Sequence, residues 1–236
     1  MEQYQQDSIK RTARLAGVCY ALMGIVALLG IYHAPLVNPD INALARALAA
    51  SESHFRFKVV ADVLSVALAV PLGVLLYELF KAVNRRQAAL LALWLMIAAP
   101  ISFVVALNYV AAQWLLSDAP IVATIAGAER QSLSRLFLGL HRHGVLAVEI
   151  FWGLWLLPFG LLVIRSRLLP RVLGILLIIG GVAYVAHSIT SLLLGANHFL
   201  VYERITMLAR AAAEFPTMLW LLIKGADTQQ MKSGAV

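Results

Sequence analysis

Six apolar runs, each close to the length of a bilayer crossing, constrain this chain more than any other feature. A helix spanning hydrocarbon needs about 20 mostly apolar residues. The runs fall at about 13–32, 57–80, 88–116, 144–164, 172–195 and 205–223. Inside lipid every backbone polar group has to be satisfied within its own segment, so each run reads as an α-helix. Composition agrees, with 61% hydrophobic and 13% charged residues, far from the balance of soluble domains. The expectation is an all-α, polytopic membrane helix bundle: one domain over residues 1–236 with six transmembrane helices. The first run follows Lys10, Arg11 and Arg14. No small-residue cleavage site follows it, so it reads as a permanent span rather than a signal peptide.

Basic residues set the expected orientation. Lys10, Arg11 and Arg14 precede span one, and Lys81, Arg85 and Arg86 join spans two and three. Arg165, Arg167 and Arg171 join spans four and five, while Lys224 and Lys232 follow span six. Positive charge is retained in the cytoplasm, so both termini are expected to be cytoplasmic in a multi-pass protein of the cytoplasmic (inner) membrane. The net charge of +7 is therefore a topology signal and does not point to nucleic acid. Membrane lipid is the expected partner. A small-residue face in span one, Gly24, Ala27 and Gly30, suits helix packing within or between chains and leaves a homo-oligomer open.

The connections differ in length. Asn38-Pro39-Asp40 is a stop and cap signal, followed by Ile41, Leu44 and Leu48 at helical spacing, so 40–50 reads as an amphipathic helix at the outer surface. The segment 117–143 reads as an outward helical extension of span four. Residues 1–9 and 226–236 read as flexible tails. The single cysteine, Cys19, lies in an apolar run and rules out an intrachain disulfide and a Cys-based metal site.

Residues 141–153, HRHGVLAVEIFWG, carry charge towards the bilayer. His54 and His141 are 87 apart, as are Asp62 and Glu149, Pro71 and Pro158, and Gly73 and Gly160. The shared spacing suggests that hairpins 2–3 and 4–5 are parallel copies of one unit, a construction found in transporters. It also puts His141 just outside the hydrocarbon and leaves Glu149 as the deep charge. At 100° per residue His141 and His143 point about 200° apart, whereas Glu149 lies about 80° from His141 and about 20° from Arg142. His141, Arg142 and Glu149 are thus expected to face inward and His143 outward.

Ionisable residues inside a bilayer face the protein interior or water. Besides Asp62 and Glu149, His187 lies in span five, and Arg210 and Glu214 lie in span six. Most of these polar positions sit in the outer half, which suggests an outward-facing polar pocket. Asp62, His141, Arg142, Glu149, His187, Arg210 and Glu214 are the candidate ligand-binding residues, for a small molecule, ion or lipid headgroup. Plainer readings stand beside this one. Lys58 neutralises Asp62 from one turn away, Arg210 and Glu214 form an i, i+4 ion pair, and Asn108 and Gln113 serve helix packing.

Catalysis has less support. No Walker loop, G-x-S-x-G elbow or dinucleotide fingerprint occurs, and no cofactor is implied. An alternative is an intramembrane metal-dependent hydrolase holding Zn through His141, His187 and either Asp62 or Glu214. Haem ligation by His141 and His187 and a structural role in a larger membrane complex complete the alternatives.

Several runs carry a family resemblance: RTARLAGVCY, ASESHFRFKVVADVL, LGLHRHG, SRLLPRVLGILLIIGGVAYVAHS and AEFPTMLWLLIKG. Over roughly residues 10–225 the chain resembles the bacterial integral-membrane family DUF4386, a domain of unknown function. The LPRVLG run and the glycine-rich span after it are the most specific piece. The resemblance implies a polytopic membrane fold and brings no activity to transfer. Histidine at position 187 departs from that family's pattern, in which the site is often acidic.

Overall fold

The computed structural model describes residues 2–33, 52–117, 120–195 and 200–227. Among them are six long α-helices and no strand: α1 (Glu2–His33), α2 (Glu52–Phe80), α3 (Arg85–Leu116), α4 (Gly127–Ser166), α5 (Arg171–Leu194) and α6 (Leu200–Ile223). All six are long and apolar enough to cross a membrane. A single 3-10 turn, Pro120–Val122, separates α3 from α4. The chain is a multi-pass membrane protein of the all-α class.

Each helix packs on its neighbours in sequence, and α6 returns to pack on α1. At that closure Gly17 lies against the backbone of Leu221 and Leu222, an approach that only a residue without Cβ permits. The start of α1 and the end of α6 share one end of the bundle. A Cβ on Gly225, at φ +72°, would meet the Lys10 carbonyl oxygen at 3.2 Å. Asp227 donates its backbone N–H to the Leu168 carbonyl in the α4–α5 connection at 2.8 Å.

Of the two tails expected to be flexible, residues 2–9, 226 and 227 are described and 228–236 lie outside the described residues. Helix α1 begins at Glu2, so residues 2–9 are helical. Polar helix formers carry the backbone pattern past the apolar run, and Thr12 donates to the Ser8 carbonyl. At the other end Ala226 is 2% exposed, so that residue is still packed against the bundle. The amphipathic segment expected at 40–50 lies outside the described residues.

Side-chain chemistry divides the bundle across its thickness. Its main apolar core joins Tyr20, Leu72, Leu76, Phe80, Trp155, Phe159, Leu177 and Leu221 with smaller neighbours. Every member lies within roughly 18 Å of the end that carries the basic connections. Phe159 stacks on Trp155 at 5.6 Å and meets Phe80 edge-on at 5.8 Å. The buried charged and imidazole side chains, Lys58, His141, Glu149 and His187, all belong to the other half.

Two glycine pairs fix the spacing of α4 and α5. A Cβ on Gly153 would meet the Gly181 carbonyl oxygen at 2.6 Å, and one on Gly174 would meet the Gly160 oxygen at 2.7 Å. Seven residues separate the pairs on each helix of this antiparallel contact, so the two helices run in close register over about two turns. Gly73, at the position 87 before Gly160, also faces the following helix, near Ala92 and Leu95 of α3.

Candidate functional site

One turn beyond the Gly153–Gly181 contact, α4 presents Glu149. The close register brings α5 near enough for Nδ1 of His187 to reach the Glu149 carboxylate oxygen Oε2 at 2.6 Å. From α6, Nη1 of Arg210 donates to the other oxygen, Oε1, at 2.9 Å. A carboxylate only accepts, so Nδ1 of His187 is the donor in that contact. Next to it, Ser188 donates to the Leu146 carbonyl at 2.5 Å. One buried carboxylate thus ties together three helices.

Arg210 is held on further sides. Its Nε donates to the Thr206 carbonyl at 3.2 Å, and its guanidinium carbon lies 4.8 Å from the centre of the Tyr184 ring, within cation–π range. The i, i+4 ion pair expected between Arg210 and Glu214 does not form. Glu214 instead accepts from Tyr184 at Oε1 and from Tyr20 at Oε2, both at 2.7 Å. Those hydroxyls reach it from α5 and α1. Tyr20 also touches Trp155 edge-on at 5.6 Å, so the polar network ends where the aromatic core begins. His187 stacks near Tyr202, with centroids 6.2 Å apart.

Asp62 and His141 belong to a second cluster, built by α2, α3 and α4. Lys58 and Asp62 form an ion pair one helical turn apart, as the spacing of the two residues suggests. The Lys58 Nζ lies 5.7 Å from the centre of the Tyr109 ring, and that ring is 5.0 Å from His141. His141 is 3% exposed. Its Nδ1 lies 2.9 Å from the Val105 carbonyl and donates to it, since a carbonyl only accepts. Its Nε2 has no hydrogen-bond partner among the described residues. Gly144 permits this approach, because a Cβ there would meet Val105 Cγ2 at 2.6 Å.

The seven sequence candidates therefore fall into two groups. Glu149, His187, Arg210 and Glu214 are joined through direct bonds and Tyr184; Asp62 and His141 lie with Lys58 and Tyr109. Arg142 is half-buried beside His141. His143 is exposed and turns Nδ1 to the Gly139 carbonyl of its own helix at 2.9 Å, as the 100° rotation per residue requires. Glu149 is eight residues from His141, roughly 12 Å along α4. Among the described residues no three His, Cys, Asp or Glu side chains form a group able to hold a metal ion. Asn108 bonds the Val104 carbonyl of its own helix at 3.1 Å.

Tyr20, Tyr109 and Tyr202 were not among the sequence candidates. A phenol in an apolar run is itself a signal, since a buried hydroxyl needs a partner in hydrocarbon; the partner's identity depends on the packing of distant helices. Tyr20 and Glu214 are 194 residues apart.

Residues 15–225 match the sequence model of a family described as a domain of unknown function, DUF4386. No curated protein and no solved structure matches the chain.

Proposed function

The chain belongs to the DUF4386 family, a membership that brings no activity with it, and we propose its function from the site. It binds a small molecule, ion or lipid headgroup in the polar half of the bundle, without transforming it. The observation that carries this reading is the Glu149 carboxylate shared by His187 and Arg210 inside a membrane-spanning bundle. Ionisable groups at such depth are costly, by roughly 2.5–3.5 kcal/mol each on insertion scales, and mark ligand or ion sites. The apolar core beyond Tyr20 and Trp155 supports binding from one side over a continuous pore. Asp62, His141 and Arg142 form the rim on α2 and α4. In this reading the protein lies in the cytoplasmic membrane with both termini inside, and its polar half faces outward.

Native mass spectrometry of the protein released from detergent tests the reading. A retained small molecule or lipid on the wild type, lost in Tyr184→Phe and Glu149→Gln variants that still elute as folded protein, is the expected result. A wild type that carries nothing through mild extraction, and gains no thermal stability from total bacterial polar lipid, overturns it.

A further inference from the structure

The cluster around Glu149 sets two carboxylates against one guanidinium. Glu149 accepts from Arg210 and His187, and Glu214 accepts from Tyr184 and from Tyr20 of α1. The two carboxylates communicate through Tyr184, whose ring lies by the guanidinium and whose hydroxyl bonds Glu214. The guanidinium is always charged. With both carboxylates ionised and the imidazole neutral, the cluster therefore carries one uncompensated negative charge. The side chains of Glu149, His187 and Arg210 are 10%, 10% and 15% exposed, and a charge so enclosed is costly unless balanced.

The neighbouring groups do not supply the balance. Tyr202, against the imidazole, adds a phenol and no charge. Glu203 and Arg204 at the start of α6 are of opposite sign, and Arg204 is exposed. Arg142 is half-buried and seven residues from Glu149, roughly 10 Å along α4. On α3, which packs on the other side of α4, Tyr109 lies beside His141, and Arg85 and Arg86 are at the far end. Lys58 and Asp62 pair with each other in the second cluster. The missing positive charge is then a proton, and the hydrogen bonds select its seat. Tyr20 and Tyr184 have no acceptor but Glu214 among the described residues, so a proton on that carboxyl would leave one hydroxyl without a partner. Both oxygens of Glu149 already face donors. His187 spends Nδ1 on Glu149, while its Nε2 has no partner among the described residues and takes a proton without disturbing any bond.

We propose that the cluster is a proton-binding site. One proton sits on Nε2 of His187, so that an imidazolium and a guanidinium together balance Glu149 and Glu214. The N–H bond forms from the Nε2 lone pair and a proton of water, and it breaks by returning that proton. Its loss leaves every hydrogen bond described above in place and the cluster one charge negative, which makes it the exchangeable ligand of the site. The inference goes beyond the ligand reading above and does not depend on it.

Nitrogen NMR of the full chain, labelled at histidine and held in lipid nanodiscs at neutral pH, tests this by reading the protonation of each ring nitrogen. The His187 signals are those lost in His187→Gln, or those that remain when the other five of the six histidines are replaced. Both His187 nitrogens are expected to carry protons. Glu214→Gln removes a negative charge without touching His187, so the ring should lose its Nε2 proton at the same pH. Glu214→Met serves where the glutamine variant does not elute as folded protein. Glu78→Gln, which removes an exposed carboxylate at the other end of the bundle, should leave both protons. A wild-type ring protonated at Nδ1 alone overturns the proposal. So does an infrared carboxylic-acid band that disappears in Glu214→Gln, which would put the proton on Glu214. A doubly protonated ring unchanged in the Glu214 variants overturns the charge-balance argument. None of these outcomes turns on a retained ligand in the mass spectrum, so the proposal and the binding reading fail separately.

Discussion

Arg210 bonds Glu149, 61 residues away on α4, and not Glu214, one turn further along its own helix. The choice ties α6 to α4 across the bundle and leaves Glu214 to the two tyrosines. The side chains of Glu149 and Arg210 are 10% and 15% exposed, so removing one partner strands a largely dry charge. Glu149→Gln is expected to destabilise the fold by about 3 kcal/mol, read from unfolding in mixed micelles. Adding Arg210→Met to Glu149→Gln should recover most of that loss, because no unpaired charge then remains. A double variant no more stable than Glu149→Gln would show that the pair is not coupled.

Glu214 accepts one bond from Tyr20 and one from Tyr184. Tyr20→Phe and Tyr184→Phe should each destabilise the protein by about 1–2 kcal/mol. Together they leave the carboxylate without either donor, so the double variant should lose more than the sum of the two. Additive losses in a double-mutant cycle would mean that Glu214 finds another partner.

The two glycine pairs between α4 and α5 predict steric sensitivity at defined points. Gly153→Ala and Gly160→Ala place a methyl at 2.6 and 2.5 Å from carbonyl oxygens of α5. Each should cost about 1–3 kcal/mol. The Gly153 change, one turn from Glu149, should also disturb the His187 contact and weaken ligand binding. Gly127→Ala, where nothing lies within 4 Å, should stay within about 0.5 kcal/mol of the wild type.

Orientation is testable by labelling. In a Cys19→Ser background, single cysteines replacing Ser8 and Lys224 should react with an impermeant maleimide from one face of the membrane. A cysteine replacing Ser132 should react from the other. All three positions are exposed. By the positive-inside rule Ser8 and Lys224 should be the cytoplasmic pair. Labelling of Ser8 and Lys224 from opposite faces would contradict a bundle with an even number of crossings.

Hydropathy made the six spans legible because burial in lipid demands length and apolar content directly. It marks only the part of a helix in hydrocarbon, which is why α1 and α4 run well past their apolar runs, to Glu2 and Gly127. The inward turn of His141 and the outward turn of His143 follow from rotation per residue and needed no packing knowledge. The Lys58–Asp62 pair was equally local. The exchange of partners by Arg210 was not legible, since i, i+4 spacing offers Glu214 and only the register of α4 against α5 and α6 offers Glu149. Tyr20 stayed hidden for the same reason. Its bond depends on α1 meeting α6, a contact between the two ends of the chain.

The seating of Gly17 against Leu221 and Leu222 has a consequence during synthesis. The first helix enters the membrane while its eventual partner, some 200 residues further along the chain, is still to be synthesised, on the order of 10–40 seconds later. Throughout that interval the notch at Gly17 and the Tyr20 hydroxyl face lipid or the insertion machinery. Ring closure is therefore a post-insertion event, and a ribosome stalled before the sixth helix should release an open, protease-sensitive five-helix arc.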